Sequence, residues 1–291
     1  MQLSAWPSAV HPWPVIRDLA LHAESLGYHG VWVMDHFMDN TDEGGGHVLE
    51  GFSVLAALAA VVPRVRLGSL VAGNLYRHPA VLANQAVTID QISDGRFVLG
   101  LGAGWQENEH GQYGIELPPP GPRLRQFEEA CRVVRALRDE HTVTFDGRYY
   151  QLRDARMEPK PVGPMPLMIG GAGEQVMSGI VARQADEWNV WGTPEFFARK
   201  SAVMTRACEE IGRDPATLKR STQALVVLGR DPEPEDGHRA IGGSVERLRD
   251  TFGQYASAGV DEFIVPDGHL RDPARSRELY DLLAEDVLPG L

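Results

Sequence analysis

The 291 residues are enough to bury a sizeable core, and 43% hydrophobic, 23% charged and 8% aromatic residues make an ordinary globular composition. A formal net charge of −12, with three lysines and no basic run, excludes a nucleic-acid or anionic-membrane surface, because phosphate must be neutralised by clustered cations. No apolar run approaches the roughly 20 residues of a bilayer span, MQLSAWPSAV lacks the regions of a signal peptide, and Cys131 and Cys208 have no metal-clip spacing, so a reduced cytoplasmic protein is expected.

Short runs rich in Val, Leu and Ile alternate with segments of helical apolar spacing, the pattern of repeated strand–helix units on a parallel sheet. The first predicted strand is Gln2 to Trp6, followed by a helix from Pro14 to Leu26. GVWVMD (30–35) is the second strand and GFSVLAALAAVV (51–62) the next helix. RVRLGSLV (64–71) is the third strand, and its helix has Pro79 in the first turn and Gly95 just past the end. RFVLGLG (96–102) is the fourth; after ELPPPGP comes a helix from Arg123 to Arg138. Asp146-Gly147 then marks an inserted β-hairpin near residues 142–151. PLMIGG (166–171), DEWNVW (186–191), TQALVVL (222–228) and DEFIVP (261–266) complete the strands, with helices beginning near Glu174, Pro194, Gly243 and Asp272. Eight alternations without a dividing linker predict an α/β fold, one (β/α)8 TIM barrel domain over 1–291.

Active sites of such barrels lie at the C-terminal ends of the strands. Those positions are Asp35-His36, Ser69 to Asn74, Gly102 to Asn108, Gly170 to Glu174 and Trp188 to Trp191. Gly170-Gly171-Ala172-Gly173 follows a strand and opens a helix, so its N–H groups suit a phosphate, although a plain glycine turn explains the same residues. The G-x-G-x-G of 100–104 lacks the dinucleotide spacing. It would let a flat heterocycle lie on the backbone with Trp105 as a wall, or Trp105 simply seals the mouth.

His36 suits general acid–base work near neutral pH with Asp35 biasing its charge, against the plainer roles of a cap and a carbonyl-bonded mouth residue. Histidines are scattered, and ENEHG around His110 reads as a loop without an i, i+4 His pair, so no metal site is expected. Ser53 and Ser178 lack a nucleophile elbow. The helix Phe52 to Val62 is apolar nearly all round, which predicts burial on two sides, under inserted segments or in a homodimer.

VWVMDHF, LGSLVAGNLYRHPAVLANQAVTIDQISDGRFVLGLGAGWQENEHGQYG, TFDGRYYQLRDARMEPKP, IGGAGE and ADEWNVWGTP, in this order from Leu3 to about Ser221, resemble the bacterial luciferase-like oxidoreductases, most closely their coenzyme F420-dependent (deazaflavin) branch. The resemblance implies a ring resting on a third-strand bulge with a non-prolyl cis peptide at Ser69-Leu70, bordered by Ala72, Gly104, Trp105 and Asn108. It implies a cofactor contact from Asp35, proton transfer by His36 assisted by Asp35, and phosphate binding by Gly170 and Gly171 with Ala172, Gly173 and Glu174 beside them. Sugar-phosphate dehydrogenases of the branch carry a glutamate where this chain has Trp105 and an aromatic where it has MDNTDEGGG. With no lysine cluster at the later strand ends, a neutral or apolar small organic substrate is expected rather than glucose 6-phosphate. The implied function is F420-dependent hydride transfer; the alternatives are an FMN-dependent monooxygenase and a non-catalytic flavin-binding barrel. The loops Met38 to Glu50 and Gln106 to Pro122 are expected to shape the pocket.

Overall fold

In a computed structural model describing residues 1–41 and 46–289, eight parallel strands close on themselves. Gly44 and Gly45 of the expected pocket loop lie outside the described residues. The strands are β1 (Gln2–Trp6), β2 (Gly30–Val33), β3 (Arg66–Ser69), β4 (Phe97–Gly102), β5 (Leu167–Gly170), β6 (Glu187–Trp191), β7 (Lys219–Gln223) and β8 (Glu262–Pro266). They pair in the order β3-β2-β1-β8-β7-β6-β5-β4, and Leu67–Phe97 and Gly68–Val98 pairs close the ring between β3 and β4. The helices are α1 (Trp13–Ser25), α2 (Gly51–Val61), α3 (Pro79–Ile92), α4 (Glu107–Tyr113), α5 (Pro120–Asp139), α6 (Met177–Gln184), α7 (Pro194–Glu210), α8 (Val245–Ser257) and α9 (Pro273–Leu282).

Side chains of a strand alternate between its two faces, and in a barrel one face points to the axis. On β6, Trp188 turns outward and stacks on Phe197 of α7, whereas Glu187 and Asn189 turn inward, Glu187 to Arg66 across the barrel and Asn189 to Gln223 on the neighbouring β7. Trp32, Leu70, Val98, Met168 and Ile264 form a small interior core, separate from the large one between sheet and helices. Below it, at the first residues of four strands, Arg66 grips Glu187 at 2.7 and 2.8 Å and reaches Glu262 at 3.3 Å, with Lys219 3.6 Å from Glu262. Ser4 and the Trp32 indole N–H also donate to Glu262.

Three expectations are corrected. The seventh barrel strand is Lys219–Gln223; Leu225–Leu228 leaves the barrel and pairs in parallel with Ala240–Gly243. KRSTQ carries its inward residues into ion and amide contacts, so it has no apolar run to read. ENEHG (107–111), expected as a loop, lies in the short helix α4, whose buried members are Glu109 and His110 and which therefore lacks an apolar stripe. The third strand breaks as expected, but the non-prolyl cis peptide is Leu70-Val71, one residue beyond Ser69-Leu70, before Ala72–Gly73 rejoins the sheet beside β4.

The inserted hairpin is present as Val143–Asp146 against Gln151–Ala155. On α2, Val61 stays 41% exposed, so among the described residues the chain's own insertions leave that face uncovered. No described helix is long and apolar enough to cross a membrane.

Candidate active site

A cavity of about 770 Å³ opens at the C-terminal ends of the strands. Asp35 and His36 follow β2, the Leu70–Gly73 bulge follows β3, and Gly104 and Trp105 follow β4; all line it. The glycines of the fourth strand serve different ends. A Cβ on Gly100 would stand 1.9 Å from the Ser69 carbonyl oxygen, so that glycine lets β3 and β4 approach. Gly104 has φ +88°, the left-handed turn that brings the chain from the strand towards α4.

His36 is held by a residue absent from the sequence expectations. Its Nδ1 lies 2.7 Å from Oε1 of Glu109, a carboxylate with no solvent exposure. The backbone N–H of Phe37 donates to Glu109 Oε2 at 2.8 Å, and the Tyr76 hydroxyl donates to Oε1. Burial works against the charge on Glu109, but the bonds from His36, Phe37 and Tyr76 outweigh it and hold the carboxyl below its usual range. The same burial and the Glu109 carboxylate push the Tyr76 phenol far up, so it stays a neutral donor.

Asp35, expected to assist His36, is turned to Arg77 instead, which grips it at 2.6 and 2.9 Å while Gly73 N–H donates to it at 3.0 Å. Arg77 continues to Glu50 at 2.6 Å, and Glu50 caps α2 through Phe52 and Ser53. Asp35 thus ties the bulge through Arg77 and Glu50 to α2 while bordering the cavity.

The remaining candidates divide. Leu70, Ala72, Gly170, Gly171 and Ala172 line the cavity with Trp105, which is 56% exposed at the rim and meets His36 edge-on at 5.5 Å. Gly171 N–H already donates to the Asn189 carbonyl at 3.0 Å. Ser69 is buried behind the bulge with its hydroxyl on the Gly100 carbonyl at 2.8 Å. Asn108 gives its amide N–H groups to the carbonyls of Asp39 and Thr41 at 2.8 and 3.0 Å, pinning the loop after β2 rather than facing the cavity. Gly173 lies outside the lining, as does Glu174, which pairs with Lys200 at 2.6 Å.

Arginines supply what lysines do not: Arg123 and Arg239 line the mouth with His238. Burial, then Arg239, Arg199 and Lys200, lower the His238 pKa. Trp6, Trp191, Asn189 and Gln223 form the opposite wall. The period-two pattern of DEWNVW was the available signal for Asn189 and Trp191, because it sets both on one face.

Two relatives are each named F420-dependent glucose-6-phosphate dehydrogenase: one of Kineococcus radiotolerans, 35% identical over 75% of this chain and 65% of its own length, and one of Amycolatopsis mediterranei, 36% identical over 58% and 52%. Pyrimidine monooxygenase RutA of Cronobacter sakazakii is 37% identical over 58% of this chain and 51% of its own length. This chain thus spans between about half and two-thirds of these relatives. Among solved structures, an F420-dependent secondary alcohol dehydrogenase carrying an F420-acetone adduct superposes with TM-score 0.85 at 19% identity, over 98% of this chain and 97% of that one. The F420-dependent tetrahydromethanopterin reductase of Methanopyrus kandleri gives 0.85 at 17%, over 99% and 98%; both support the barrel fold. A family model described as luciferase-like monooxygenase matches residues 1–235, and the chain belongs to that family.

Proposed function

We propose that the chain is a coenzyme F420-dependent oxidoreductase acting on a small organic substrate. The observation that carries this reading is His36, which lines the cavity beside the Leu70-Val71 bulge while its Nδ1 is engaged by Glu109. The relatives named for F420, one of them matching 75% of the chain, favour the deazaflavin.

The residues present fit a flat ring. Cβ atoms on Gly102 and Gly170 would come within 2.7 and 3.0 Å of the Val71 side chain, so only bare backbone lets both neighbouring strands close around the bulge. Leu70, Val71 and Gly104 would hold the ring, with Gly170 to Ala172 and the start of α6 towards its phosphate arm. When bound, a deazaflavin supplies a hydride acceptor or donor at its ring carbon. His36 holds the accompanying proton at Nε2, since Glu109 takes Nδ1.

The second reading, an FMN-dependent monooxygenase, is favoured by the 37% identity to RutA. Titrating the apo-protein with F420 and, separately, with FMN, followed by ligand fluorescence, tests the choice. Micromolar or tighter F420 binding with weaker FMN binding supports the deazaflavin reading, and the reverse preference overturns it.

A further inference from the structure

We propose that Asn189 and Gln223 form a recognition edge for a cyclic amide or imide. Both side chains line the cavity and are buried, at 3% and 2% exposure. Asn189 Nδ2 donates to Gln223 Oε1 at 2.7 Å and to Ser221 Oγ at 2.9 Å. Ser221 directs its own hydroxyl to the Trp188 carbonyl at 3.4 Å, which leaves its lone pair for the asparagine. Two groups remain without a protein partner among the described residues: Asn189 Oδ1, an acceptor, and the Gln223 Nε2 amide, a donor.

Neither atom is among the fully enclosed unpartnered ones, so both face the cavity, where a ligand carbonyl and N–H can replace the water that otherwise serves them. The edge asks for one carbonyl and one N–H. Turning both amides over exchanges the two positions and leaves the demand unchanged. The edge is flanked by Trp6 and Trp191, whose rings lie 5.7 Å apart at 54°. An apolar wall with one donor and one acceptor selects a flat, neutral heterocycle.

The ring order gives the edge to substrate rather than cofactor. In β3-β2-β1-β8-β7-β6-β5-β4, β6 and β7 stand across the barrel from β2 and β3, which carry His36 and the bulge. A molecule on Asn189 and Gln223 would therefore face a ring seated on that bulge. Only the word substrate rests on the proposed function; the amide chemistry does not.

The probes are glutarimide and N-methylglutarimide, titrated calorimetrically into the whole apo-protein and into protein preloaded with F420. Glutarimide is expected to bind about tenfold more tightly, because methylation removes the N–H that Asn189 Oδ1 accepts. Asn189→Leu should bring the two probes level, and Gln223→Leu should weaken both, with F420 affinity unchanged in either variant. Equal affinities in the unmodified protein overturn the proposal, and that comparison needs no variant to fold. A preference retained in both Asn189→Leu and Gln223→Leu also overturns it, whichever way the two amides are turned. If both variants instead lose F420 affinity and glutarimide is not preferred, the edge belongs to the cofactor ring and the substrate assignment fails. A glutarimide preference in a protein that does not bind F420 upholds the edge while the proposed cofactor falls.

Discussion

His36 Nδ1 lies 2.7 Å from Glu109 Oε1, so the histidine that follows β2 is oriented from a helix that follows β4 and not by its chain neighbour Asp35. Neighbouring residues leaving a strand project to opposite sides, which gives Asp35 to Arg77 and His36 to Glu109 although both border the cavity. Glu109 is therefore a positioning residue for His36. Glu109→Gln should lower kcat by roughly 10- to 100-fold, the usual cost of losing an orienting carboxylate, with F420 affinity within about twofold. Because burial is outweighed and the folded pKa of Glu109 lies below 4.5, the anchoring is complete above that value and lost as pH falls through the folded one. The unmodified enzyme should thus show an acid limb that Glu109→Gln lacks; identical pH profiles for the two would contradict the assignment.

His36→Ala should retain cofactor binding and lose turnover. Stopped-flow measurement of the redox step separates this from a binding defect. Turnover at the unmodified rate would remove His36 from proton transfer.

Arg77→Met strands the buried Asp35 carboxylate and releases the Glu50 cap. Removing one partner of a buried pair costs about 3–5 kcal/mol. Thermal unfolding should therefore begin several degrees lower, with the loss reduced in Arg77→Met/Asp35→Asn. An unchanged unfolding curve would show that the 2.6 Å contact contributes nothing.

Glu262→Gln at the barrel floor should lower stability by a similar amount while leaving F420 affinity intact, since the floor lies at the opposite ends of the strands from the cavity. Burial disfavours the Glu262 charge, but Arg66 and Lys219 outweigh it, so its pKa is lowered from 4.5. Its contribution is present above that value and lost on further acidification, and acid titration of unfolding in both proteins should show the difference narrowing there.

Trp105→Ala should shift stability by no more than about 0.5 kcal/mol, as expected for an exposed position. Ligand affinity at the mouth should weaken nonetheless. A large fall in unfolding temperature would instead make Trp105 a structural seal.

The barrel itself was legible because outward faces of the strands pack on helices and read as Val, Leu and Ile runs. What escaped was polar and inward. β7 shows no apolar run because its inward residues Lys219, Ser221 and Gln223 make polar contacts to the neighbouring strands, and α4 shows no stripe because its buried residues are Glu109 and His110. The Asp35-His36 pairing misled for the opposite reason: adjacency in sequence suggested a contact that strand geometry disfavours. Asn108 was placed on the cofactor by resemblance, yet its amide is committed to the carbonyls of Asp39 and Thr41.

Residues 104–110 carry the turn at Gly104, the rim tryptophan, the loop anchor Asn108 and the carboxylate behind His36. A single insertion, deletion or grafted replacement there would disturb the cavity rim, the anchor on Asp39 and Thr41, and the contact to His36 Nδ1 together. The segment is thus a compact unit in which the rim, the loop anchor and the partner of His36 cannot be changed independently.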